Sequence, residues 1–387
     1  MKPTVRAVCA ALFLLFTFAW MYFFQADMLA VAQHGLSGGK THYERTAGAL
    51  IVTGVLFALQ LLVYALIRLS RRTHALTYLP SFLLLGFVSG LHFPFQWGAW
   101  LWAGPLVLLL WGGAVWLARK ACPFDNDAKE PTGLLSPRLW LNLLQMAAMM
   151  LGVAAVSDTN AVNHFKARAE VALLKGDTEG ALQAGCRSLE TDETLTMLRI
   201  FALSCQGQLA DRLFEYPIRG TGNDMLPLRG SKARLALLPD TIVWDHFGQR
   251  PDTILARADS LSRLTYSERL TTRTFLDSLE KDTLATTACV DYRLMGMLID
   301  RQLDSFVVSL PRYYPLNPDS LPRHYREALV LYRAQCDTSF IYSDSLLTSG
   351  WQRFLQLDSL YPRASERLVR TDDSLRVTYW YYYHQVH

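Results

Sequence analysis

The stretch LWLNLLQMAAMMLGVAAV, Leu139–Val156, divides this 387-residue chain. At about 1.5 Å rise per residue it makes a helix roughly 27 Å long, close to the ~30 Å hydrocarbon thickness of a bilayer. Its strongly polar members, Asn142 and Gln145, lie near its start, where a side chain reaches the interface or a neighbouring helix. Everything before the stretch reads as membrane and everything after it as soluble helix. The expected fold is therefore all-α: an N-terminal transmembrane bundle followed by helical hairpins.

Working back from Leu139, apolar runs at 7–24, 47–69, 76–90 and 95–117 bring the expected number of spans to five, within a domain 1–156. The first run follows Lys2 and Arg6. It is longer and more aromatic than a signal-peptide core, and so reads as a retained helix, although Ala30-Val31-Ala32 offers a small-x-small cleavage site. Lys2, Arg6, Arg68, Arg71, Arg72, Arg119, Lys120, Lys129 and Arg138 fall on one side of five spans, and Lys40 and Arg45 on the other. That asymmetry predicts a cytoplasmic N-terminus and an extracytoplasmic C-terminal domain, in a multi-pass protein of the inner or plasma membrane. Trp97, Trp100 and Trp102 sit where the outer interface is expected.

Eleven of the 38 Lys and Arg precede Ser157, but only five of the 34 Asp and Glu do. The basic excess is thus a topology signal and not a nucleic-acid surface. The spans carry no ionisable group in their interiors, which favours an anchor over a transporter or proton channel. In the first outer loop, Gly39-Lys40-Thr41 ends like a phosphate-binding loop, but His34 stands where the pattern needs its first Gly, so a Gly/Ser linker is expected. His34, His42 and Glu44 lack a spacing that sets them on one face as metal ligands. Asp125-Asn126-Asp127 begins like a calcium loop and departs from it at Lys129. No metal, cofactor or catalytic residue is assigned.

After Val156 the pattern turns polar and helical. Phe165, Ala169, Ala172 and Leu173 share a face of a helix over 163–174, which Gly176 stops. A second helix is expected over 178–190, with Ala181, Gly185 and Ser188 as small residues one turn apart. These residues resemble a tetratricopeptide repeat, with Gly176-Asp177 as its turn. Residues 194–205 and 208–216 resemble a second, degenerate unit closed by Pro217. The sequence departs from the family in lacking a large aromatic near Gly185 and a Pro near Asp192. The resemblance covers about residues 163–217 and implies stacked hairpins that bind peptides or proteins.

A further helical domain is expected over 218–387, after a Gly-rich hinge at 219–230. Its helices are placed at 231–238, 253–264, 266–284, 287–310, 322–336, 343–357 and 362–383. Recurrent Asp-Ser and Asp-Thr pairs suit helix caps, and twenty-three Arg against four Lys after Val156 suit bidentate pairing with those acids. Cys186 and Cys205 are offset by roughly 12 Å along two antiparallel helices, too far to bridge. Cys289 and Cys336 are left open between a disulfide and buried thiols. Arg323, His324 and Glu327 share a helix face but lack a nucleophile or metal partner, so they read as a capped helix start. Tyr379–His384 is an aromatic cluster suited to docking on the last hairpin, on lipid or on a partner.

The expected function is a membrane-anchored, extracytoplasmic helical-repeat scaffold whose partners are the bilayer and an envelope protein, with no nucleic acid. The alternative is an envelope transferase acting on a lipid-linked substrate. Its chemistry would fall to Asp27, His42, Glu44, Arg45 and His92 at the outer membrane face.

Overall fold

The computed structural model describes residues 5–70, 72–90, 98–121, 136–158, 160–257, 270–281, 286–335, 342–361 and 371–385. Among them every regular element is helical and none is a strand. The chain divides into two compact units, 1–160 and 161–387.

The first unit holds α1 (Val5–Ala19, continued by a π turn Trp20–Phe24), α2 (Ala26–Ser37) and α3 (Arg45–Ile67). After these come α4 (Leu79–Ser89), α5 (Gly98–Ala121) and α6 (Pro137–Val156). Four helices are long and apolar enough to cross a membrane: Val5–Phe24, Arg45–Ile67, Leu101–Lys120 and Pro137–Val156. The run expected as a span over 76–90 is shorter. A 3-10 turn, His74–Tyr78, leads into α4, which begins where Pro80 fits the first helical turn.

Polar side chains fix the helix directions. Gln60 Nε2 donates to Thr77 Oγ1 and Ser81 Oγ to the Leu56 carbonyl, so α3 runs antiparallel to 77–89. Trp111 Nε1 bonds the Leu76 carbonyl across 2.9 Å, and Arg119 bonds that of Ile67, which sets α5 antiparallel to the same segment. Asn142 accepts from the Ala75 N–H at 2.7 Å and donates to the Arg72 carbonyl, while the Asp158 N–H reaches the Ser89 carbonyl. Segment 72–89 therefore runs parallel to α6 and covers the same height. Trp20 Nε1 donates to Ser89 Oγ, which brings the end of α1 to that level too. Between helices in lipid, such bonds and close packing replace the hydrophobic drive. Phe13, Phe57, Tyr78 and Phe82 form the aromatic centre.

The loop expected after the first span contains helix α2 instead. Ala26, Met28, Val31 and Ala32 bury one side of it, and Gly38, at φ 60°, closes it. Gly39-Lys40-Thr41 belongs to that closure: the Thr41 N–H bonds Ser37 Oγ, and Gln33 Nε2 bonds Thr41 Oγ1.

The second unit opens with α7 (Ala161–Leu174), α8 (Thr178–Gln183) and α9 (Glu193–Cys205). Gly176 takes the left-handed conformation after α7, and Asp177 and Asp192 cap the two following helices through the Gly180 and Leu195 N–H groups. The second helix expected over 178–190 stops at Gln183, because Gly185 adopts φ 67° and its bare Cα lies under the Phe165 ring. Helix α9 is buried on every side from Thr194 to Ser204, as suits a central helix.

Helices α10 (Leu209–Arg212), α11 (Asp240–Phe247), α12 (Pro251–Arg257) and α13 (Thr272–Lys281) follow. Then come α14 (Thr287–Ile299), α15 (Leu303–Ser309), α16 (Arg323–Gln335), α17 (Ser345–Leu360), α18 (Asp373–Arg376) and α19 (Tyr379–Gln385). The segment 231–238 is not the expected helix, since its last three N–H groups are taken by a carboxylate. The helix expected over 287–310 breaks at Arg301, which adopts φ 56° while the Gln302 N–H closes on the Met297 carbonyl. The helices expected over 253–264, 266–284 and 362–383 lie partly outside the described residues.

From α14 to α17 each helix packs on the next, and α10 packs on both α14 and α16. Phe214, just after α10, touches the rings of His324, Tyr379 and Tyr382 at 4.8, 5.2 and 4.9 Å. The hairpins at the start of this unit and the aromatic helix α19 thus share one core.

Candidate functional site

Of the residues that an outer-face transferase would need, Asp27 and Arg45 tie α2 to α3 and Glu44 caps α3. Arg45 Nη2 pairs with Asp27 Oδ1 at 2.7 Å and its guanidinium lies over the Tyr22 ring. Glu44 caps α3 by accepting from the Ala47 N–H. His42 is exposed, and His92 lies outside the described residues. His34 packs its ring on Gly39, so the structure does not bring His34, His42 and Glu44 to a common point.

The cluster Arg323, His324 and Glu327 is brought together, at the start of α16 as the spacing predicts, but inside the protein. His324 and Glu327 are fully buried. His324 Nε2 faces the Phe214 N–H at 3.4 Å and so accepts, which leaves Nδ1 to donate to Glu327 Oε2 at 2.9 Å. Glu327 also accepts from Arg323 Nε and from the Tyr379 N–H, each at 2.8 Å. The Arg323 N–H in turn donates to Asp211 Oδ1 at 2.7 Å, on α10. The carboxylate ties α16 to the start of α19, while the Arg323 N–H and His324 Nε2 tie α16 to α10 and Phe214. Its geometry is that of a structural clamp, since every oxygen already has its donor.

Three further buried polar groups carried no sequence signal. Glu170, within α7, accepts from the N–H groups of Ala236, Leu237 and Leu238. Burial raises its pKa, opposed by those three bonds and by Lys166. Asp291 on α14 takes the hydroxyls of Tyr314 and Tyr325 at 2.8 and 2.9 Å. Burial again raises its pKa, against those two bonds, and nearby Asp211 adds to the rise. Arg199, central in α9, donates to the Ala184 and Gly185 carbonyls at 3.2 Å and lies over the Tyr216 ring; burial lowers its pKa.

Two recesses open on this unit. One, of about 230 Å³, lies between α13 and α14 and is lined by Asn223, Thr272, Arg273, Arg293, Asp300 and Gln302. Arg293 is held there by Asp277 and Glu280, and Glu280 by the Tyr313 hydroxyl. Gly222 lets its backbone meet that of Gly296, where a Cβ would stand 2.9 Å from the Gly296 carbonyl oxygen. The other recess, of about 210 Å³, has Trp244 as its floor and Arg229, Asp240, Arg250 and Asp252 among its walls. The first recess is mainly apolar with a charged edge and the second is mixed, and recesses of this size suit a single side chain of a partner. Among the described cysteines Cys186, Cys205 and Cys289 are free thiols, and Cys336 lies outside the described residues.

Residues 245–386 match the model of a family of unknown function (DUF6057). That match takes in the helices from the end of α11 to α19, including Arg323, His324, Glu327 and the walls of the first recess except Gly222 and Asn223. It stops short of Phe214 and the hairpins at the start of the unit, and covers less than half of the chain. No curated protein and no solved structure matches the chain.

Proposed function

We propose that this chain is a membrane-anchored helical scaffold: the first unit crosses the bilayer five times and holds the second unit outside the cytoplasm, where it binds another protein. The support for five crossings is directional. α1, α4 and α6 run one way and α3 and α5 the other, and segment 72–89 rises beside α6 from Asn142 to Asp158. An odd number of crossings, with the basic residues of the loops on the cytoplasmic side, puts residues 161–387 on the far side.

The observation that carries the binding role is the hairpin α7–α8, which turns at Gly176-Asp177 and whose far end is closed by Phe165 seated on Gly185, just after α8. Tetratricopeptide-like repeats are built from helical hairpins packed side by side, and such stacks serve as docking surfaces for other proteins. The two recesses add anchor points on the same unit.

The test uses the full chain in its native membrane, with a photo-crosslinking amino acid placed singly at Arg273 or Gln302 beside one recess, at Arg250 beside the other, and at exposed Glu190. The expected result is a discrete adduct with one envelope protein from neighbouring positions on one face. Absence of any adduct from a folded, correctly inserted protein would remove the binding reading. Protease cleavage of a tag after His387 from outside the inner membrane tests the orientation, and cleavage only after that membrane is opened would overturn it.

A further inference from the structure

Between α4, α5 and α6 lies a cleft of about 430 Å³ whose lining is almost wholly apolar. Phe82 and Gly86 of α4 form its floor, Ala103 and Val107 of α5 one wall, and Met149 and Gly152 of α6 the other. The contacts that fix α5 lie in its other half: Trp111 bonds the Leu76 carbonyl, and Val115 and Ala118 pack on Leu69. The wall residues Ala103 and Val107 flank Pro105, which removes a backbone bond within α5. At Gly152 an added Cβ would meet nothing within 4 Å, so the concavity comes from a missing side chain.

Something must fill this space. Water finds no polar partners among these side chains, and an empty cleft forfeits the dispersion contacts of its whole lining. The same two wall helices expose large apolar side chains, Leu106 and Leu109 on α5 and Leu144 and Leu151 on α6, as helices facing lipid do. The cleft is thus an indentation of the surface the bundle presents to hydrocarbon, and the medium at its mouth is lipid chain.

We propose that the cleft is a binding groove for one acyl chain of a membrane phospholipid, which it holds more tightly than the general boundary does. The small residues Gly86, Ala103 and Gly152 determine the fit.

The test reconstitutes the full-length protein in phosphatidylethanolamine–phosphatidylglycerol vesicles containing a trace of phosphatidylglycerol with a diazirine on its acyl chain. After irradiation, labelled residues are mapped by mass spectrometry. Val107 and Met149 are expected to be labelled roughly tenfold more than Leu109 and Leu144, the ratio for a site about 1.4 kcal/mol tighter than the boundary. Gly152→Trp, which puts an indole into the cleft, should bring Val107 and Met149 down to the boundary level and leave Leu109 and Leu144 unchanged. Ala103→Phe fills the space from the opposite wall and serves if the first variant does not insert. Equal labelling in the wild type, or labelling that neither variant alters, overturns the proposal. Displacement of the probe by a small excess of a polyprenyl phosphate, but not by unlabelled phospholipid, would also overturn it by assigning the groove to an isoprenoid chain.

Discussion

Nδ1 of His324 donates to Oε2 of Glu327 across 2.9 Å, and neither side chain reaches solvent. Because Glu327 also serves Arg323 and the backbone of Tyr379, its removal leaves two buried donors, His324 Nδ1 and the Tyr379 N–H, and the half-exposed Arg323 Nε without their acceptor at once. Glu327→Ala should cost about 2–6 kcal/mol, from about 1–3 kcal/mol for each of the two buried donors left unsatisfied. Glu327→Gln, which keeps an acceptor, should cost less. Denaturant titration of the full chain in detergent measures both, and an alanine variant within ~1 kcal/mol of the wild type would show that the clamp contributes little.

Gly185 combines a left-handed backbone with a Cα that lies against Phe165, where an added Cβ would come within 2.5 Å of the ring. Gly185→Ala should therefore destabilise the second unit by about 1–3 kcal/mol. Phe165→Leu in the same chain should recover part of the loss, since it removes the clash and leaves only the backbone strain. Paired melting curves decide whether that recovery occurs.

Glu170→Gln replaces one of two accepting oxygens by a donor that faces the N–H groups of Ala236, Leu237 and Leu238. The expected cost is about 1–3 kcal/mol for buried donors left unsatisfied. Amide hydrogen exchange gives the local reading: residues 236–238 should exchange faster in the variant while α14 keeps its protection.

His246 sits with Nε2 2.8 Å from Ser204 Oγ, and burial lowers its pKa from the ordinary value. A His whose folded pKa is depressed contributes stability in full above the unfolded value of about 6.5, and that contribution is lost as the pH falls through the folded one. The full chain should accordingly lose denaturation midpoint on acidification below that point. His246→Gln, which can still bond Ser204, should flatten this part of the profile; an unchanged acid limb would show that another group controls it.

In the first unit, Asn142→Leu leaves the Ala75 N–H and the Arg72 carbonyl without their side-chain partner. A loss of about 1–2 kcal/mol is expected in SDS titration of the bundle, in line with interhelical bonds in membranes.

How much of this was legible differs between the units for a physical reason. Apolar runs long enough to span are set by composition, so the stretches around Ala49, Val115 and Met146 were readable one residue at a time. The segment 76–90 was harder, because its 3-10 entry and its level with α6 depend on Asn142, which is 67 residues from Ala75. The end of α7 was read from Gly176, whereas α3 and α14 end on Arg68 and Arg301 in left-handed conformations that sequence assigns to Gly. Arg323, His324 and Glu327 were found as a cluster because they lie one turn apart. That the cluster faces inward depends on Phe214 and Tyr379, which no local spacing announces. Glu170 looked like any surface acid, and only the fold shows that 236–238 gives it three main-chain donors.

The meeting of Phe214 with Tyr379 and Tyr382 also bears on how the chain acquires its shape during synthesis. Helix α10 and Phe214 leave the ribosome more than 150 residues before α19, yet the Phe214 ring stays uncovered on one side until α19 arrives. Contacts of such long sequence separation form slowly, because the loop entropy comes first. Until then the uncovered Phe214 ring is a target for chaperones and proteases, and a stop codon before Tyr379 would leave that part of the core open.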